Sequence, residues 1–233
     1  MITLRPAAER GHANHGWLNS WHSFSFAEYQ DPAHVRFGML RVLNDDTVAP
    51  RGGFAPHPHR DMEIISYVLS GDLQHKDSMG NGSVIRRGDV QRMSAGTGVV
   101  HSEFNASDKE SVHFLQIWIF PERSGIEPSY EQIHVPDADK RGKLQVIAAR
   151  QGSERIVTVH QDVTIAAGLF TGSESETRAL QRDRRYYLHV AQGSITANGQ
   201  RLHEGDALKF VEEDQLRLEQ GQDAEVLLFD LAA

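Results

Sequence analysis

Cysteine is absent from all 233 residues, which excludes disulfides, thiolate metal sites and cysteine nucleophiles. No run approaches the roughly eighteen apolar residues of a membrane-spanning helix, and the opening Met1-Ile2-Thr3-Leu4-Arg5-Pro6 lacks the apolar centre of a signal peptide. A cytoplasmic protein with no membrane partner is therefore expected. Positive charge is also scarce. Against 24 Lys and Arg stand 32 Asp and Glu, a net charge of −8, and no basic stripe or aromatic stacking platform stands out. That balance argues against nucleic acid as a partner. Helical periodicity is scarce as well.

What the chain does have is many short β-branched and aromatic runs punctuated by glycine: 62–69, 84–85, 112–120, 144–148, 155–159, 164–170, 186–190 and 225–231. Gly80-Asn81-Gly82 and Asn198-Gly199 read as tight hairpins, because Asn and Gly tolerate positive φ. Short strands at this spacing predict an all-β sandwich or barrel. The length suffices for two modest domains, each with its own core.

A coarse internal repeat divides the chain. Val68-Leu69-Ser70-Gly71-Asp72, Asn81-Gly82 and Arg87-Gly88-Asp89 are echoed by Val190-Ala191-Gln192-Gly193-Ser194, Asn198-Gly199 and Glu204-Gly205-Asp206. Two similar barrels are expected, residues 1–137 and 138–233, joined across the polar stretch 136–142.

The most informative pattern is His57-Pro58-His59, answered by His101-Ser102-Glu103. Side chains two apart on a strand share a face, so two such strands can surround one cation with three imidazoles and a carboxylate. Four donors leave two positions of an octahedron open, as a catalytic metal requires. With no thiolate, the set suits Fe(II), Mn, Co, Ni or Cu, and affinity order favours copper or zinc. Glu63 competes with Glu103 for the carboxylate position. Glu103 is preferred because it pairs with His101 as His57 pairs with His59. In the second copy of the repeat Arg217 stands opposite His101, and Ala179 and Gln181 opposite His57 and His59. One metal per chain is expected.

Other histidines receive a plainer reading. His12, His15, His22, His34, His134, His160, His189 and His203 are expected to be solvated or hydrogen-bonded side chains. His75 and His113 are candidates for lining the cavity or orienting a ligand, with exposed or core positions as an equal alternative. Phe54, Met93 and Phe114 are candidate walls, which ordinary core packing explains equally well. Gly96-Thr97-Gly98 lies between strand patterns with no helix behind it, so it is a turn and no phosphate cradle.

Several stretches together carry a resemblance: His15-Gly16-Trp17-Leu18, Ser23-Phe24-Ser25-Phe26, His57-Pro58-His59-Arg60-Asp61-Met62-Glu63-Ile64, Tyr67-Val68-Leu69-Ser70-Gly71, and the long segment 88–103 ending in His101-Ser102-Glu103. The chain resembles the pirin family of double-barrel cupins, with the motifs concentrated in residues 1–120. The resemblance implies two cupin-type jelly-roll barrels in tandem. It also implies a metal, usually iron, on the residues matching His57, His59, His101 and Glu103. Asp61 stands where many relatives have glycine.

Bacterial relatives of this kind are credited with quercetin 2,3-dioxygenase activity, while eukaryotic ones are described as nuclear cofactors of transcription. The expected substrates are thus a flavonol and O2. A flavonol 3-hydroxyl would take an open metal position, Glu103 would accept its proton, and oxygen would add at C2, opening the ring to a depside and carbon monoxide. The alternative is a non-catalytic metal-binding or redox-sensing protein that acts through a protein partner. A lyase- or isomerase-type cupin, which consumes no oxygen, is a third reading.

Overall fold

The strand Val99–Asn105 states the logic of the fold: Val99, His101, Glu103 and Asn105 are buried, while Val100 and Phe104 between them are exposed. Alternation of this kind puts one face of a sheet inside a barrel and the other in solvent. In the computed structural model, which describes residues 1–233, twenty strands carry more than half of the chain. Helix is confined to a 3-10 turn at Ala7–Glu9 and one α turn at Asp137–Lys140. The expected all-β, two-barrel architecture is what the chain adopts. No helix is long and apolar enough to cross a membrane.

The chain forms two compact units, residues 11–134 with 150–161, and residues 1–10 with 135–149 and 162–233. Position in sequence and position in space therefore do not coincide everywhere. Ile2–Arg5 pairs antiparallel with Ala207–Val211, deep in the C-terminal half.

The first unit holds two sheets. One runs in the order Ser129–His134, Asp89–Ser94, Glu63–Ser70, Val112–Ile119, Leu40–Val48, Leu18–His22, Gly11–Asn14. The other runs Gly53–His59, Val99–Asn105, Asp72–Asp77, Gly82–Arg86. Neighbours in a sheet are often far apart in sequence, the wiring of a jelly roll. Between the inner faces lie two apolar clusters, one around Leu18, Val48, Val112 and Phe114, the other around Ile64, Met93 and Val99.

In the second unit the paired order is Ile2–Arg5, Ala207–Val211, Arg184–Ala197, Gln215–Ala232, Val163–Phe170, Gln145–Ala149. Its largest buried cluster is apolar, built on Leu188, Val190, Phe210, Val226 and Leu228. Arg217, matched to His101 by the repeat, pairs with Glu219 at 2.8 Å.

Turn chemistry follows the sequence at most points. Asn198 and Gly199 have φ of 46° and 79° and form a two-residue hairpin between Arg184–Ala197 and Gln200–His203. The Gly80-Asn81-Gly82 hairpin is wider, because Asp77 Oδ1 accepts the backbone N–H groups of Met79 and Asn81 and spreads the loop over 78–81. Asp61 adopts φ of 50°, the region glycine favours. Its carboxylate accepts the Gly125 N–H at 2.6 Å, which holds the turn behind His59 in place. The predicted strand 155–159 shortens to Val157–Thr158.

Candidate metal centre

Gly53–His59 is an edge strand, where Pro56 and Pro58 cost no ladder hydrogen bond. It pairs antiparallel with Val99–Asn105, and the register sets His57 directly opposite His101 and His59 opposite Val99. A bulge between His101 and Glu103 shifts the register so that Glu103 faces Phe54. Gly96, at φ 45°, turns the chain into the second of these strands; a Cβ there would sit 2.1 Å from the Ile126 carbonyl oxygen.

His57, His59 and His101 converge. Candidate ligand atoms of the three lie within 4.8 Å of one another, and the Nε2 atoms of His57 and His101 are 3.0 Å apart. That is the separation of two nitrogens about 2.1 Å from one cation at right angles to each other. His57 Nδ1–H donates to the Ala55 carbonyl at 2.8 Å, which leaves Nε2 with its lone pair toward its neighbours. Burial, then the adjacent His57, lowers the His59 pKa to about 4. Burial and the neighbouring histidines lower that of His101 to about 2. Neutral imidazoles whose nitrogens face a common point fit a metal ion, and the trio can hold one.

Glu103 belongs to a second, overlapping trio with His75 and His101, again within 4.8 Å. Both its oxygens are held: Ser66 Oγ donates at 3.0 Å and Gln116 Nε2 at 2.7 Å. Burial pushes its pKa up, against the opposing pull of His75 and these donors. His75 is fully buried and hydrogen-bonded through Nε2 to Asp77 at 2.9 Å. It stands behind the trio and does not border the cavity.

Glu63 is placed elsewhere. Ser66 reaches Glu103 inside the barrel, so the odd positions of Glu63–Ser70 point to the opposite face. There the Glu63 carboxylate accepts from Ser94 Oγ at 3.0 Å and from the His160 backbone N–H at 3.0 Å. It ties residues 150–161 to the unit and lies off the metal centre. Glu63→Ala is expected to lower stability by about 1–3 kcal/mol, the cost of stranding those buried donors, while metal content stays unchanged. Urea denaturation and elemental analysis check both halves.

The histidine trio opens on a cavity of about 620 Å³, within the range of small-molecule sites. Phe26, Phe54 and Trp118 give it aromatic walls. Trp118 meets both Phe26 and His59 edge to face, at 5.5 and 5.0 Å between ring centroids. Phe54 is thus a wall as expected, but Met93 and Phe114 pack into the apolar clusters instead. His113 turns outward to pair with Asp45 at 2.6 Å.

Sequence reasoning missed a polar strip on the cavity floor. His12, His15 and His22, read as ordinary histidines, all line the cavity, as do Ser20, Asn44, Asp46 and Gln116. Ser20 donates to the Asp46 carboxylate and accepts from His22 Nε2. Burial raises the Asp46 pKa to about 7, outweighing the Ser20 hydrogen bond. A carboxyl whose folded pKa exceeds its unfolded one contributes stability that is complete below about pH 4 and is lost as pH rises through about 7. Asp46→Asn cannot ionise. Metal-free Asp46→Asn should therefore gain roughly 1–3 kcal/mol on wild type between pH 5 and pH 8. Parallel pH profiles in urea denaturation would contradict this.

Tandem jelly-roll barrels, one with a histidine trio opening on a pocket and one filled with apolar side chains, define a double-barrel cupin. The chain belongs to the pirin family: residues 3–119 match Pirin and residues 146–231 match the quercetinase C-terminal cupin domain. It is 46% identical over 233 residues to quercetin 2,3-dioxygenase of Escherichia coli K12, covering 99% of each chain. The crystal structure of YhhW from Escherichia coli superposes with a TM-score of 0.94 at 44% identity, over 99% of this chain and 97% of that one. A second structure, of the bacterial pirin YhhW in complex with nickel(II), gives the same TM-score and identity over 100% and 99%.

Proposed function

We propose that this protein is a metal-dependent quercetin 2,3-dioxygenase, converting a flavonol and O2 to a depside and carbon monoxide. The observation that carries the reading is the pair of facing Nε2 atoms of His57 and His101, 3.0 Å apart, at the edge of a large aromatic-walled cavity. In this reading His57, His59, His101 and Glu103 hold one divalent cation per chain, for which we assign iron(II). The site belongs to the N-terminal domain, and the C-terminal domain carries no ligand set.

The bound cation supplies Lewis acidity that makes a coordinated hydroxyl more acidic, together with the redox capacity to engage oxygen. The protein does the rest. Phe26, Phe54 and Trp118 hold a planar polyphenol and exclude water from it. Glu103 accepts the proton of the flavonol 3-hydroxyl. Ser66 and Gln116 fix both carboxylate oxygens, so the acceptor is oriented before substrate arrives.

Iron-loaded protein mixed with quercetin under air should consume one oxygen for each carbon monoxide released, measured by oxygen electrode and gas analysis. Flavonol loss without oxygen uptake would point to a lyase. No turnover at all would leave a metal-binding regulator.

A further inference from the structure

The floor of the cavity is polar where the fold does not require it. Antiparallel register aligns His22, Asn44, Gln116 and Ser66 in one row across adjacent strands, with Ser20 and Asp46 in the next. All six are buried. The apolar interior of the second barrel shows that this architecture can be filled with leucine, valine and phenylalanine. Polar groups withdrawn from water are costly unless they find partners.

Part of the row is occupied by the protein itself, since Gln116 and Ser66 hold Glu103. His22 is bonded to Ser20, which leaves Asp46 and Asn44. Asp46, 3% exposed, is hydrogen-bonded by Ser20 alone, on Oδ1, so most of its acceptor capacity is unspent and it borders the cavity. Asn44, two residues away on the same face, borders the cavity too, and its Oδ1 is buried with no hydrogen-bond partner.

We propose that Asp46, with Asn44 beside it and Ser20 as its anchor, recognises the ring hydroxyls of the substrate and so selects a polyhydroxylated flavonol over the bare 3-hydroxyflavone. The inference rests on the flavonol reading and adds to it the feature of the flavonol that is read. Phenolic hydroxyls donate hydrogen bonds, and a buried carboxyl with unspent lone pairs accepts them. Its pKa near 7 lets it also donate when neutral. A site built to bond a hydroxyl rejects the analogue lacking it far more strongly than an apolar pocket rejects an added group.

The test uses iron-loaded full-length protein without oxygen, titrated with quercetin or 3-hydroxyflavone while tryptophan fluorescence is followed; Trp118 reports from the cavity wall. For Asp46→Ala, quercetin should bind about tenfold or more weakly, and 3-hydroxyflavone within about twofold of wild type. Ser20→Ala removes the anchor, together with the acceptor of His22 Nε2, and should show the same selectivity, weaker by several-fold. Deleting one hydroxyl in this way leaves the fold intact if Asp46→Ala does not. Equal losses for both ligands, or no loss for either, overturn the inference. Wild type that binds both flavonols without preference overturns it while leaving the flavonol reading standing. Wild type that binds neither ends both.

Discussion

Replacing His101 by alanine is expected to remove the metal and, with it, all flavonol cleavage. His101 is the one side chain shared by both clusters of candidate donors, with His57 and His59 on one side and His75 and Glu103 on the other. Losing a group that merely orients a ligand costs about 10–100-fold in metal affinity, so losing a ligand itself should cost more than about 100-fold. The fold should survive. His101 is buried, but its Nδ1 has no hydrogen-bond partner and its Nε2 comes within hydrogen-bond distance of His57. Alanine thus strands no other group. Elemental analysis after dialysis, beside far-ultraviolet circular dichroism, should show a folded chain without metal. A His101→Ala protein that keeps its metal and turns over quercetin at the wild-type rate would contradict the assignment.

Glu103→Gln should separate binding from chemistry. Glutamine is nearly isosteric and can turn its amide N–H toward Ser66, whose hydroxyl can accept as well as donate, while its oxygen still accepts from Gln116. Packing around position 103 is therefore preserved, and with the neutral amide oxygen beside the three imidazoles the cation should still bind, more weakly, so that excess iron(II) keeps the site loaded. What is lost is the capacity to take up a proton. General-base catalysis is worth about 10²–10⁴-fold, so kcat should fall by that factor with KM little changed. An unchanged kcat would remove Glu103 from the reaction. Loss of metal together with turnover would make it a ligand only.

The convergence of His57, His59 and His101 was legible because strand geometry turns a spacing of two into a shared face, and the pairs at 57/59 and 101/103 needed no knowledge of distant contacts. Choosing Glu103 over Glu63 drew on the same parity, and the structure shows Glu63 on the opposite side of its strand. The polar floor was not legible, for two reasons. Its members are joined by pairings far apart in sequence, position 20 with 46, 44 with 116, and 116 with 66. In addition, Leu40–Val48 is buried on both faces for most of its length, so it shows no alternation from which an inward-facing Asn44 or Asp46 could be read. The choice between wall and core for Phe54, Met93 and Phe114 was open for a related reason. An inward-pointing residue meets either a cavity or a neighbour, and only the filled volume decides which. The membership of Met1–Arg10 in the C-terminal unit was equally invisible, since Ile2–Arg5 finds its partner more than 200 positions away at Ala207–Val211.

Anomalous diffraction from crystals of iron-loaded protein tests the central claim most directly. A single peak per chain, within bonding distance of nitrogens from His57, His59 and His101 and open toward the cavity, is the predicted result. A peak elsewhere, or one enclosed by protein ligands on every side, would contradict it.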